Sequence, residues 1–137
     1  MSFAFVIFLA FADIATVKTE PDANRRSELA LLNAEEKMDE ARQAYQAGNE
    51  GAEVAAIQEL ADSVTLSYDS LESTHGEPRK SKYYKHAELK VSALMRRLSG
   101  FRDEVNFEFR PRVEAVLKKL SDIHDELISD IMSRKKQ

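Results

Sequence analysis

Four apolar stripes limit the fold of this chain more than any other feature. Each repeats at alternating spacings of three and four residues, and the segments that carry them are set apart by turns. That spacing lines up side chains on one face of an α-helix, whereas a strand changes face every second residue. The first stripe is Leu31, Ala34, Met38, Ala41 and Tyr45, in a segment from about Ser27 to Ala47. Gly48-Asn49-Glu50-Gly51 then breaks it, and Gly48 or Asn49 can take the left-handed conformation that closes a helix. The second stripe, Val54, Ile57, Ala61, Val64, Tyr68 and Leu71, runs in a segment from about Ala52 to Ser73. So short a connection makes the two segments antiparallel neighbours.

Thr74-His75-Gly76-Glu77-Pro78 is the next break, because Gly76 suits a helix end and Pro78 cannot continue one. Ser81 is the expected N-cap of a third segment reaching about Val105, with Tyr84, Ala87, Val91, Leu94, Leu98, Phe101 and Val105 as its stripe. A fourth segment begins at Pro111, a good first helical position. It carries Val113, Val116, Leu120, Ile123, Leu127 and Ile131, and closes with Arg134, Lys135 and Lys136 at the negative end of the helix dipole. The four stripes predict an all-α fold: an up-down-up-down antiparallel four-helix bundle built from two helical hairpins, over residues 25–137. Leu31, Tyr68, Leu71, Tyr84 and Leu127 should meet at one end, and Tyr45, Val54, Phe101 and Val113 at the other. Ala34, Ala41, Ala44, Ala55, Ala56 and Ala61 let the first two helices approach closely.

Ahead of the bundle, Phe3–Ala12 is an unbroken apolar run ending in Ala10-Phe11-Ala12, with Asp13 at once behind it. A small-x-small end to a short apolar run is the pattern of a secretory signal peptide, so residues 1–12 are read as a cleaved leader. Only Met1 and Ser2 precede the run, where a basic stretch is usual. A membrane span needs about 20 apolar residues and this run is shorter, so the mature chain is not expected to cross a membrane. The implied location is periplasmic or secreted. Residues 13–24, with Pro21 and mixed charges, are read as a flexible tether.

Charge is unevenly divided. Residues 1–76 carry 14 acidic and 5 basic side chains, net −9, while residues 77–137 carry 10 acidic and 15 basic, net +5. The expected use of this asymmetry is an acidic hairpin packed beside a basic one, with ion pairs along the rims. The chain has no cysteine, which excludes disulfides, thiolate metal sites and a cysteine nucleophile.

The stretch Ala41–Leu60, ARQAYQAGNEGAEVAAIQEL, resembles the turn of a tetratricopeptide hairpin, with Tyr45, Gly48, Ala56 and Ile57 near the family's places. The likeness covers one hairpin, since the Trp and Leu-Gly of the first helix are missing and the second hairpin's turn has no glycine. It implies a peptide-binding module rather than an enzyme. The whole chain also resembles small exported helical proteins of bacteria, a likeness that implies no particular activity.

A search for reactive groups gives little. A di-iron bundle needs Glu-x-x-His on two helices, and of His75, His86 and His124 only His75 has a Glu three residues earlier, Glu72. No Gly-x-Ser-x-Gly elbow, phosphate loop or dinucleotide fingerprint occurs. Glu35-Glu36 and Asp39-Glu40 lie off the first stripe and read as a solvated face. Neither catalytic residues, nor a metal, nor a cofactor is assigned. The most distinctive local cluster is Arg79, Lys80, Lys82, Tyr83 and Lys85, the candidate contact for a partner or an anion. It sits at a helix N-terminus, where Asp69 and Glu72 are expected to offset its charge.

The expectation is therefore an exported, non-enzymatic helical protein that acts through protein–protein contact, as a scaffold or accessory subunit. Its partner is another protein and not nucleic acid, and self-association into a homo-oligomer is left open. Leu32, Leu60, Leu66, Leu89 and Met95 are the candidate exposed apolar contacts. A metal- or small-ligand-binding bundle is the alternative from a different class.

Overall fold

The computed structural model describes residues 13–133. The leader reading of residues 1–12 and the basic end Arg134–Lys136 lie outside the described residues. All regular structure among these is helical: α1 (Ile14–Lys18), α2 (Ala23–Gln46), α3 (Glu50–Glu72), a 3-10 turn (Pro78–Lys80), α4 (Lys82–Glu104) and α5 (Arg110–Met132). The four long helices pack together around one apolar core.

Each boundary has a local cause. Asp22 caps α2, its side chain accepting from the Arg25 N–H, and Asn49 caps α3 through the Ala52 N–H. Between them Gly48 has φ +73°, the left-handed conformation expected of it. Ser81 Oγ accepts from the N–H groups of Tyr83 and Tyr84 and so caps α4 as expected. Asn106 Oδ1 accepts from the Phe109 N–H, which turns the chain into α5 without a glycine.

The stripes find the core. Every stripe residue of α4 is buried, as are Leu31, Ala34, Met38 and Ala41 of α2 and Val113, Val116, Leu120 and Leu127 of α5. Tyr45, Val54, Tyr68, Ile123 and Ile131 are half-buried at its edges. The α2–α3 contact is the closest pairing, and it is not made by alanine alone. Ser27, Asn33, Ser63, Ser67 and Ser70 are buried there with Ala30, Ala34 and Ala56, whereas Ala55 is exposed. Ser27 and Ser67 hydroxyls lie 2.7 Å apart, Asn33 Nδ2 donates to Ser63 Oγ at 2.8 Å, and Arg26 Nε donates to Ser70 Oγ at 2.8 Å. Small polar side chains that satisfy one another let two helices approach without leaving buried donors unpaired.

The two hairpins are joined along their rims by Glu35–Lys90, Asp39–Arg97 and Arg42–Glu104 between α2 and α4. Residue numbers in these pairs rise together, so α2 and α4 run in the same direction. At one end Tyr68 Oη donates to Asp130 Oδ2 at 2.8 Å, and the Tyr84 hydroxyl lies 3.1 Å from Leu71 O and 3.0 Å from Glu72 Oε2. Burial first, and the neighbouring carboxylates second, push both phenols well above their ordinary range. At the other end Tyr45 and Phe101 meet edge to face, centroids 5.8 Å apart.

One expectation is corrected. Residues 13–24 are not an unstructured tether: they hold α1, and Val17 is only 3% exposed. Asp13 caps α1 through the Thr16 N–H, a contact that holds its carboxyl below the usual range. Glu59 Oε2 of α3 accepts from the Ile14 N–H (3.1 Å) and from Asn33 Nδ2 (3.0 Å), tying α1 to both helices of the first hairpin. The Arg26 guanidinium reaches back to the Glu20 carbonyl at 2.7 Å. Two aspartate caps, at 13 and 22, were the sequence signal for this order.

Candidate functional site

The basic cluster stays at the surface but is partly neutralised. Arg79, Lys80, Lys82 and Lys85 are exposed, while Tyr83 is half-buried against the core. Glu77, an acid beyond the expected Asp69 and Glu72, pairs with Arg79 (3.1 Å) and Lys80 (4.0 Å). Lys82 Nζ lies 5.2 Å from the centre of the Tyr83 ring, so that ring is already engaged by a cation.

His75 and His86 are exposed, and His124 Nε2 lies 2.8 Å from Glu88 Oε2 across the second hairpin. Among the described residues no group of three or more His, Cys, Asp and Glu side chains is placed to hold a metal ion. None of the described helices is long and apolar enough to cross a membrane.

The expected apolar surface is only partly present. Leu60 is fully buried, because α3 packs against α2 on one side and α5 on the other and so has a wider buried face than its stripe implies. Leu66 and Met95 are half-buried. Leu32 (53% exposed) and Leu89 (66%) do face solvent, and Phe107 and Met132, which the stripes did not single out, are more exposed still.

Leu32 stands where α1 meets α2. It lines a half-open groove of about 470 Å³ between α1 and α2, with Val17, Pro21 and Leu29 as further apolar wall and Thr16, Thr19, Glu20, Asn33 and Glu36 as its polar part. The groove exists because α1 is folded back. Its wall holds two buried acceptors without a donor, Asn33 Oδ1 and Glu36 Oε1. Asn33 cannot relieve this by turning its amide over, because its Nδ2 must face the Glu59 carboxylate, which only accepts. An unpaired buried acceptor costs roughly 1–3 kcal/mol, so two in one wall mark a surface that is not self-sufficient. Glu36 thus leaves the solvated acidic face expected for it. Glu35 and Asp39 bridge to the second hairpin, and Glu40 pairs with Lys37. The groove leaves no signature in the sequence, because its second wall exists only once α1 is folded back on α2.

Comparisons of the chain with protein-family models, with curated proteins and with solved structures find no match.

Proposed function

We propose that this chain is an exported, non-enzymatic helical protein that works by binding another protein, with the α1–α2 groove as the centre of contact. The long helices make an up-down-up-down four-helix bundle of two antiparallel hairpins, and α1 is added to its first hairpin. The observation that carries the reading is the groove itself: Leu32 exposed among Val17, Pro21 and Leu29, beside the unpaired acceptors of Asn33 and Glu36. Apolar wall with buried acceptors fits a partner segment that offers an apolar side chain next to an N–H donor. Glu20 and Glu36 make a basic neighbour on that segment favourable. Export rests on the Phe3–Ala12 run and its Ala-x-Ala end. Periplasmic or secreted localisation follows from that and from nothing in the helices.

The test places a photoreactive residue at position 32 or, as control, at position 89, in the full chain in its native host. The expected result is one protein cross-linked from position 32 and not from 89. The purified partner should then bind wild-type protein at least tenfold more tightly than Leu32→Asp, with circular dichroism of the variant unchanged. Equal cross-linking from both positions, or equal affinity for both proteins, overturns the proposal. The groove's volume also lies in the range of small-molecule sites. That second reading predicts a small apolar ligand co-purifying with wild-type protein and absent from Leu32→Asp.

A further inference from the structure

The opposite end of the first hairpin holds a second pocket, of about 540 Å³, with a lining more polar than the groove's. It is lined by Tyr45 of α2, Gly48, Glu50 and Glu53 around the start of α3, Asn106, Glu108 and Phe109 of the α4–α5 turn, and Arg112 of α5. Three of these side chains are carboxylates and one is a guanidinium. Glu53 is the unusual member. It is only 3% exposed, and its Oε2 is buried with no hydrogen-bond partner. A buried carboxylate normally has donors around it, and this one lines a polar pocket whose one cationic side chain, Arg112, lies over the Phe109 ring, 5.9 Å from guanidinium carbon to ring centre.

We propose that this pocket binds a primary alkylammonium group, with the Glu53 carboxylate as its anchor. An ammonium brings three N–H donors and one positive charge to a lining with two more acids than bases. Tyr45 and Phe109 give the attached alkyl chain an aromatic wall. A metal ion fits less well, because these carboxylates do not form a metal-ligating group. A guanidinium ligand would compete with Arg112 for the same ring. The chemistry is common to a free diamine and to the side chain of a lysine in another protein.

The protonation of Glu53 agrees with this. Burial pushes its carboxyl up to about 7, Glu50 on the same helix adds to the rise, and Arg112 from α5 opposes it. Glu108 on the turn and Tyr45 on α2 are the other titratable groups lining the pocket. Near pH 7 the empty pocket therefore holds Glu53 partly protonated, and an arriving ammonium drives the remaining proton off into solution.

Calorimetric titration of the full chain at pH 7, in two buffers of different ionisation enthalpy, tests the proposal. The probes are 1,5-diaminopentane and Nα-acetyl-lysine amide. Saturable one-to-one binding is expected, with release of a fraction of a proton, and Glu53→Gln should weaken it by about tenfold or more and abolish the proton release. Tighter binding of the diamine assigns a free polyamine as ligand. Equal or tighter binding of the lysine amide assigns a protein side chain. Aromatic resonances of Tyr45 and Phe109 in the wild-type protein should shift on titration, a readout that needs no variant. Absence of saturable binding for both probes up to about 10 mM, or unchanged affinity in Glu53→Gln, overturns the proposal. Either outcome leaves the α1–α2 groove untouched, since the two sites share no residue.

Discussion

Val17→Ala tests whether α1 is a docked element with its own equilibrium. Five residues are far too few for a helix to persist alone in water, because the first turn fixes several residues for a single hydrogen bond. α1 is therefore held by what it touches: the buried Val17 side chain, the Ile14 N–H on Glu59 and the Arg26 guanidinium on Glu20. Removing two methyl-sized carbons from Val17 forfeits about 0.8 kcal/mol each, plus a small cavity term, or about 2 kcal/mol in all. That is a factor of about 30 in the docking equilibrium. Amide hydrogen exchange reads it directly. The N–H groups of Val17, Thr19 and Glu20, which bond to Asp13, Thr16 and Val17 carbonyls, should exchange about 30-fold faster in the variant. Amides in the middle of α4, around Leu98, should not change. Equal acceleration in α1 and α4 would show that α1 opens only with the whole fold. No acceleration in α1 would show that Val17 does not anchor it, and the groove at Leu32 would lose its stated cause.

Three other perturbations follow from the packing. Leu98→Ala, at a fully buried position in the strongest stripe, should cost about 2–5 kcal/mol in urea unfolding, and a near-zero change would refute that stripe as core. Gly48→Val should cost at least about 1–2 kcal/mol from backbone strain alone, since an added Cβ at Gly48 meets no atom within 4 Å, while Gly48→Asn should cost less. Glu53 gives a pH signature: its carboxyl stands near 7 when folded against 4.5 otherwise, so its contribution to stability is full below about pH 4.5 and is lost as pH rises through 7. Glu53→Gln should therefore gain stability relative to wild type between pH 5 and pH 8, and parallel stability curves over that range would refute the assignment.

The helices were legible because their signals are local. Gly48, Ser81 and Pro111 act through their own backbone geometry, and the α4 stripe is apolar at each expected position. What was not legible depends on which helix lies beside which. Leu60 is in the core because α3 has neighbours on two sides. Ser63, Ser67 and Ser70 look like surface residues of a polar helix until Ser27, Asn33 and Arg26 are set against them. The Glu53 pocket combines side chains distant in sequence, the groove needs α1 folded back on α2, and no spacing within one helix announces either. α1 was missed because a five-residue helix with one buried side chain has no period to detect.

The rim pairs between the hairpins bear on how the chain avoids a wrong assembly. Read from the N-terminal end, α2 presents minus, minus, plus (Glu35, Asp39, Arg42) and α4 presents plus, plus, minus (Lys90, Arg97, Glu104). Exposed pairs of this kind contribute only about 0.2–1 kcal/mol each, little beside the core. Yet Leu, Val and Ala in the interior have no sense of direction, and turning the second hairpin end for end would set Arg42 against Lys90 and Glu35 against Glu104. The order of signs thus works as an orientation key that adds to the end-specific contacts of Tyr68, Tyr84 and Phe101. Exchanging the signs on both helices at once should be silent. Exchanging them on α2 alone should set like signs face to face at all three pairs, and the resulting loss of stability should shrink as salt screens the mismatch.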